Sequence, residues 1–275
     1  MDLTILPDIP PWDWPGDAGD RFLDLLRDRQ ANATDRLLAA ELAGDYTVVN
    51  DQLAAALLAI VCDDNEMEDM RGTAAISLGV ALDHTDTMGF DDPDDMLISE
   101  DVFNRIQQSL HDLYLATDVS QDVRRKILEV SVRAPQAWHQ EAIRTAYANH
   151  DDDWRLTAVF CTRFVRGFDD LILEALDSNH EDMHYQAVCA AGNWEVDAAW
   201  AHIAALIIPD YDDKDLLLAA IEAVVNIRPQ EASLLLQPFI GAEDDDISDA
   251  VAEALIMAKG LIGYDDDDDD DDEFF

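Results

Sequence analysis

The chain has 275 residues, 49% of them apolar, and carries 17 basic against 61 acidic side chains for a net charge of −44. That length and apolar share can bury a continuous core, which excludes a disordered chain and a disulfide-stapled miniprotein. The charge disfavours attraction to nucleic-acid phosphates or anionic lipid and favours a basic protein partner, while the excess of Asp over Glu and the scarcity of lysine (Lys126, Lys214, Lys259) leave open solubility or salt adaptation.

In chain order, residues 1–17 form an extended Pro- and Trp-rich segment without a basic start or a long apolar run. No stretch of eighteen apolar residues follows, so the sequence predicts neither export nor membrane insertion and a cytoplasmic location. Trp12 and Trp14 read as a lid over the first helices, with an exposed anchor for a partner as the alternative. Residues 18–66 show helical periodicity over 21–29, 33–43 and 47–62 and read as capping helices.

Residues 67–260 repeat. Anchors at Met70, Val123, Trp154, Met183, Leu216 and Ile247 begin six similar stretches, and from Val123 onward they recur about every 31 residues. Four residues after each anchor stands Ala74, Ile127, Ala158, Ala187, Ala220 or Val251, and seven after it Ser77, Val130, Cys161, Ala190, Ala223 or Ala254. These positions share one helix face, and their small side chains permit close packing of neighbouring helices. Second helices are expected over 135–149, 168–178, 195–208 and 229–240, Pro135 and Pro229 suiting first-turn positions. No segment alternates like a strand, so the fold is expected to be all-α. Between Met70 and Val123 the register gains about 22 residues beyond one period, read as a long acidic loop over 84–100 with no calcium-loop spacing.

The stretches Asp122-Val123-Arg124-Arg125 and Asp153-Trp154-Arg155-Leu156-Thr157-Ala158 resemble HEAT and HEAT-like repeats, including the short type named after phycobilisome lyases. The resemblance implies an α-solenoid, a right-handed superhelix of antiparallel helix pairs whose family members mostly bind proteins. The arginines Arg71, Arg124 and Arg155, each one residue after an anchor, are expected to bridge to carboxylates of adjacent copies as a ladder.

Tests for chemistry return no phosphate-cradling glycine loop, nucleophile elbow or zinc spacing. Cys62, Cys161 and Cys189 read as reduced, buried thiols. One HEAT-like enzyme family, the deoxyhypusine hydroxylases, binds iron through repeated His-Glu pairs two and three residues past the anchor. Those slots here hold Gly72-Thr73, Arg125-Lys126, Leu156-Thr157, Tyr185-Gln186, Leu218-Ala219 and Asp249-Ala250. His150 and His180 are therefore read as capping residues in turns. Trp138 and Trp200 occupy corresponding places on two second helices and read as packing.

Residues 261–275 form an acidic tail expected to be disordered, nine adjacent acids followed by Phe274 and Phe275. It resembles the tips of bacterial single-stranded-DNA-binding proteins and suits a greasy pocket ringed by Lys or Arg. The sequence reading as a whole is a non-catalytic protein-interaction scaffold or adaptor with no cofactor, metal or catalytic residue. Its expected partner surface is an acidic ridge of Asp122, Asp151, Asp152, Asp153, Glu181, Asp182, Asp212, Asp213, Asp244, Asp245 and Asp246, with Phe274 and Phe275 of the tail. The alternatives are an enzyme with an unrecognised site on the concave face and a nucleic-acid-mimicking or chaperone-like shield.

Overall fold

The computed structural model describes residues 3–208 and 213–267, with side chains to Leu261; Asp212, Phe274 and Phe275 of the expected surface lie outside the described residues. Among the described residues there are helices and 3-10 turns and no strand, so the chain is all-α. It forms two compact units, Met1–Ala142 and Ile143–Phe275.

In the first unit, 3-10 turns at Leu3–Asp8 and Pro11–Asp13 lead into α1 (Ala18–Arg27), α2 (Ala33–Leu42), α3 (Asp51–Val61), α4 (Glu68–Ile76), α5 (Gly79–Met88), α6 (Glu100–Leu115) and α7 (Gln121–Ser131). Helices pair as α1 with α2, α3 with α4 and α6 with α7, and successive pairs stack through α2 on α4, α4 on α7, α1 on α3 and α3 on α6. This is solenoid layering, with α2, α4 and α7 as the inner row. Side-chain oxygens of Asn32, Asn50 and Ser120 accept the free amides at the starts of α2, α3 and α7. The segment before α1 folds back, because the Trp14 indole donates to the carbonyls of Leu6 and Ile9 and meets Phe22 edge to face. Trp14 is the expected lid, whereas Trp12 stays 77% exposed.

The chain enters the second unit within α8 (His139–Tyr147) and continues through α9 (Asp152–Cys161), α10 (Asp169–Leu176), α11 (Glu181–Asn193), α12 (Trp200–Ala204), α13 (Lys214–Ile227), α14 (Pro229–Leu235) and α15 (Asp245–Asp267). The inner row α9, α11, α13 and α15 packs in series, with α10, α12 and α14 against it from outside. The anchor face is the buried face: Trp154, Ala158 and Cys161 on α9, Met183, Ala187 and Ala190 on α11, and Leu216, Ala220 and Ala223 on α13 are all buried. At Gly192 the α11 backbone comes so close to α13 that an added Cβ would lie 2.7 Å from the Ala223 Cα. An exposed helical Gly→Ala change gains stability, so the sign here is diagnostic: Gly192→Ala is expected to lower the unfolding free energy by about 1–3 kcal/mol in denaturant titrations.

Several details depart from the sequence reading. The first part of the expected 84–100 loop is helical, because α5 runs to Met88 before Gly89 turns the chain at φ +72°. The remainder is tied down: Ile98 is buried, Phe90 meets Phe103, and the Ser99 amide donates to Asp51. The last helix continues to Asp267, into the stretch expected to be tail. Cys62 is exposed, unlike Cys161. His180 precedes α11 without a side-chain cap bond.

The arginine ladder takes a different form. Arg71 donates through Nε to the Val61 carbonyl at 2.9 Å and Arg124 to the Tyr114 carbonyl at 2.7 Å, each ten residues upstream at the end of the preceding helix. The helix end carries unpaired carbonyls and a partial negative charge, so the guanidinium caps the outer helix of its own pair. Arg36 makes the same ten-residue reach to Leu26 at 3.4 Å. Arg155 instead lies 5.3 Å over the Tyr147 ring and 3.7 Å from Asp152.

Candidate binding groove

The expected ridge residues sit at the starts of inner helices. Asp122 lies in the first turn of α7, in the first unit. In the second unit Asp151, Asp152 and Asp153 begin α9, Glu181 and Asp182 begin α11, Asp213 precedes α13, and Asp244, Asp245 and Asp246 begin α15, all of them exposed. The starts of α13 and α15 lie side by side: Lys214 at the head of α13 bonds Asp244 at 2.8 Å and Asp246 at 2.5 Å at the head of α15. Much of the ridge serves the fold. Asp151, Asp213 and Asp244 accept backbone amides as helix caps, and the Lys214 ammonium holds the Asp244 carboxyl below the usual range.

A group of acids that shares Asp246 with the ridge lines a groove. Along the inner row of the second unit, α11, α13 and α15 enclose a cavity of about 590 Å³. Its apolar surface comes from Leu218, Ala219 and Ile221 of α13 and Ala250, Ala254 and Met257 of α15. Its acids are Asp215 and Glu222 on α13 and Asp246, Asp249 and Glu253 on α15, with Arg163 as the cation lining it. Asp246 is neutralised by Lys214, whereas Asp215, Glu222, Asp249 and Glu253 form no ion pair among the described residues. Asp215 and Asp246 share one repeat position and Glu222 and Glu253 another. The two positions are seven residues apart, about 10 Å along a helix. Leu218, Ala219, Ile221 and Ala250 fall between these two levels together with Asp249, and Ala254 and Met257 follow the second.

At the α11 end of the groove, Arg163 donates to Gln186 at 3.0 Å beside Tyr185 and Cys189. Burial pushes the Cys189 thiol up, and the Tyr185 phenol is raised by Cys189 and by burial. Both groups therefore stay protonated at neutral pH, which leaves the thiol a poor nucleophile. Beside the head of α11, His184 and His202 meet Nε2 to Nε2 at 2.9 Å with perpendicular rings. One ring must donate and the other accept, and burial followed by the neighbouring His202 holds the His184 pKa down.

No protein-family model matches the chain, and no curated protein sequence matches it. Solved structures do. YibA of E. coli is 15% identical over 94% of this chain and 90% of its own, with a TM-score of 0.47. Human deoxyhypusine hydroxylase in complex with glycerol is 15% identical over 94% of this chain and 88% of its own, at 0.40. An engineered protein is 11% identical over 89% and 82%, at 0.43. These likenesses concern the helical fold alone.

The hydroxylase corrects the functional expectation. The step from repeat architecture to a non-catalytic scaffold fails, because a fold of this helical class carries an enzyme. Among the described residues no helix is long and apolar enough to cross a membrane.

Of the groove acids, Asp246 was expected from the sequence, whereas Glu222, Asp249 and Glu253 were not. Glu222 and Glu253 stand six residues past their anchors, one position before the buried Ala223 and Ala254. A helix turns that position away from the packed face and onto the open side of the row.

Proposed function

We propose that the unit Ile143–Phe275 binds a basic, amphipathic polypeptide segment in the α11–α13–α15 groove. Lys or Arg side chains of the partner meet Asp215, Glu222, Asp249 and Glu253, and its apolar face rests on Leu218, Ala250 and Met257. The observation that carries the reading is four carboxylates that form no ion pair among the described residues, in a groove that also exposes apolar side chains. A partner cation gains Coulomb energy there and a partner side chain gains buried area, while nucleic-acid phosphates and anionic lipid are repelled by the same groups. We place the encounter in the cytoplasm. The repeats are assigned to the short HEAT-like type on their period of about 31 residues and their helix pairs.

The test uses a synthetic amphipathic helical peptide of Lys and Leu and the full chain, with binding followed by fluorescence anisotropy. Glu222→Gln together with Glu253→Gln is expected to weaken binding on the order of tenfold. Asp151→Asn together with Asp152→Asn should leave it within about twofold, since those acids stand outside the groove. Raising salt from about 0.05 to 0.5 M should weaken the wild-type complex more than that of the groove variant. An unchanged affinity in the groove variant, or equal loss in both variants, refutes the assignment.

A further inference from the structure

The first unit holds a second cavity, of about 300 Å³, between α1, α2 and α3. One side is apolar, formed by Leu26, Ala55, Ala56 and Ile60; the other brings together Arg27, Arg29 and Arg36, three of the chain's 17 basic residues. Arg29 is paired with Asp63, and Arg36 donates to Glu66 at 2.7 and 3.0 Å. Arg27 forms no ion pair among the described residues. Three guanidinium groups thus face two carboxylates. Arg36 is only 7% exposed, and its buried Nε–H finds no acceptor among the described residues. A buried donor left unmet is costly, and an incoming oxyanion would offset that cost.

We propose that this cavity binds a small organic oxyanion, its charged oxygens taken by Arg27 and the Arg36 Nε–H and its apolar part lying on Ala55, Ala56 and Ile60. The site is independent of the groove and opposite to it in ligand charge. It is a local cationic spot on a chain of net charge −44, so selectivity comes from the guanidinium geometry and the apolar wall rather than from long-range attraction. Carboxylate and phosphate share the oxyanion chemistry, and the apolar wall favours the carboxylate of an aromatic or aliphatic acid.

The experiment titrates benzoate, and in a parallel arm inorganic phosphate, into the full chain while following arginine Nε–H resonances by NMR. Benzoate is expected to shift the Arg36 Nε–H signal saturably, and phosphate to do so more weakly. Arg27→Gln changes an exposed side chain without altering the thermal midpoint and is expected to weaken benzoate about tenfold. Ala56→Leu fills the cavity and is expected to abolish benzoate binding. The proposal is overturned if neither anion moves the Arg36 signal, if phosphate binds at least as tightly as benzoate, or if folded Arg27→Gln or Ala56→Leu binds benzoate as the parent chain does.

Discussion

Replacing Arg36 with alanine is expected to lower the unfolding free energy by about 3–5 kcal/mol. Arg36 and Glu66 are both almost wholly buried, their side chains 9% and 10% exposed, and join through two hydrogen bonds in the fork geometry of guanidinium on carboxylate. The alanine would strand the Glu66 carboxylate in a poorly solvated site and release the Leu26 carbonyl at the end of α1. Removing both charges is a different experiment. Arg36→Met with Glu66→Leu leaves no stranded ion, and most of the loss should be recovered in the double variant. Denaturant unfolding of the two single variants and the double measures the coupling. A loss below about 1 kcal/mol in Arg36→Ala would show that the pair is solvated in solution. Arg36 holds the Glu66 carboxyl below the usual range, so the pair's contribution is present above the ordinary carboxylate pKa and is lost as pH falls below it.

Acidification from neutrality is expected to remove a further contribution centred on His139. This ring is wholly buried; its Nδ1 accepts the Gln136 amide at 2.8 Å and its Nε2 meets the Ser131 hydroxyl at 3.0 Å. Burial lowers its pKa to about 4 from an ordinary 6.5. Between those values the unfolded chain binds a proton that the folded chain refuses. Stability therefore falls as pH drops from about 6.5 to about 4, by a total of about 3 kcal/mol at about 1.4 kcal/mol per pH unit. Protonation of the many surface carboxylates acts in the opposite sense by relieving self-repulsion, so the comparison is with His139→Gln, in which that background is the same. The difference between the two stability curves should be flat above pH 7 and slope through the window named. A difference curve flat throughout would mean that the ring titrates in the folded chain as it does in the unfolded one.

The inner helices were legible in the residues because burial has a period. Val123, Ile127 and Val130 on α7, like Leu216, Ala220 and Ala223 on α13, are covered because three- and four-residue steps keep them on one face. The helix of the α2 layer was legible over 33–43, but not its place as a copy of the repeat. Its apolar positions are mixed with Arg36, and its packing on α4 and the carbonyl bond to Leu26 mark it as the counterpart of α4 and α7. The arginine contacts went unread for a related reason, since their acceptors are backbone carbonyls and carry no side-chain signature. The groove was half visible. Asp215, Asp246, Glu222 and Glu253 can be found by spacing, but acids at the head of every inner helix drew the reading to the ridge, where capping and Lys214 already engage several of them. Packing decided which carboxylates were left without a cation.

In the second unit the substantial contacts join an inner helix to elements of its own layer or the next. A chain emerging from the ribosome could therefore complete each layer once the following inner helix is out, without waiting for a distant segment. The groove follows the same rule, its α13 and α15 walls coming together only once α15 is out. A product ending before Asp245 would keep much of the packed row and lack one entire wall of the recess, which makes uptake of a basic peptide a sensitive report on whether α15 is present and docked.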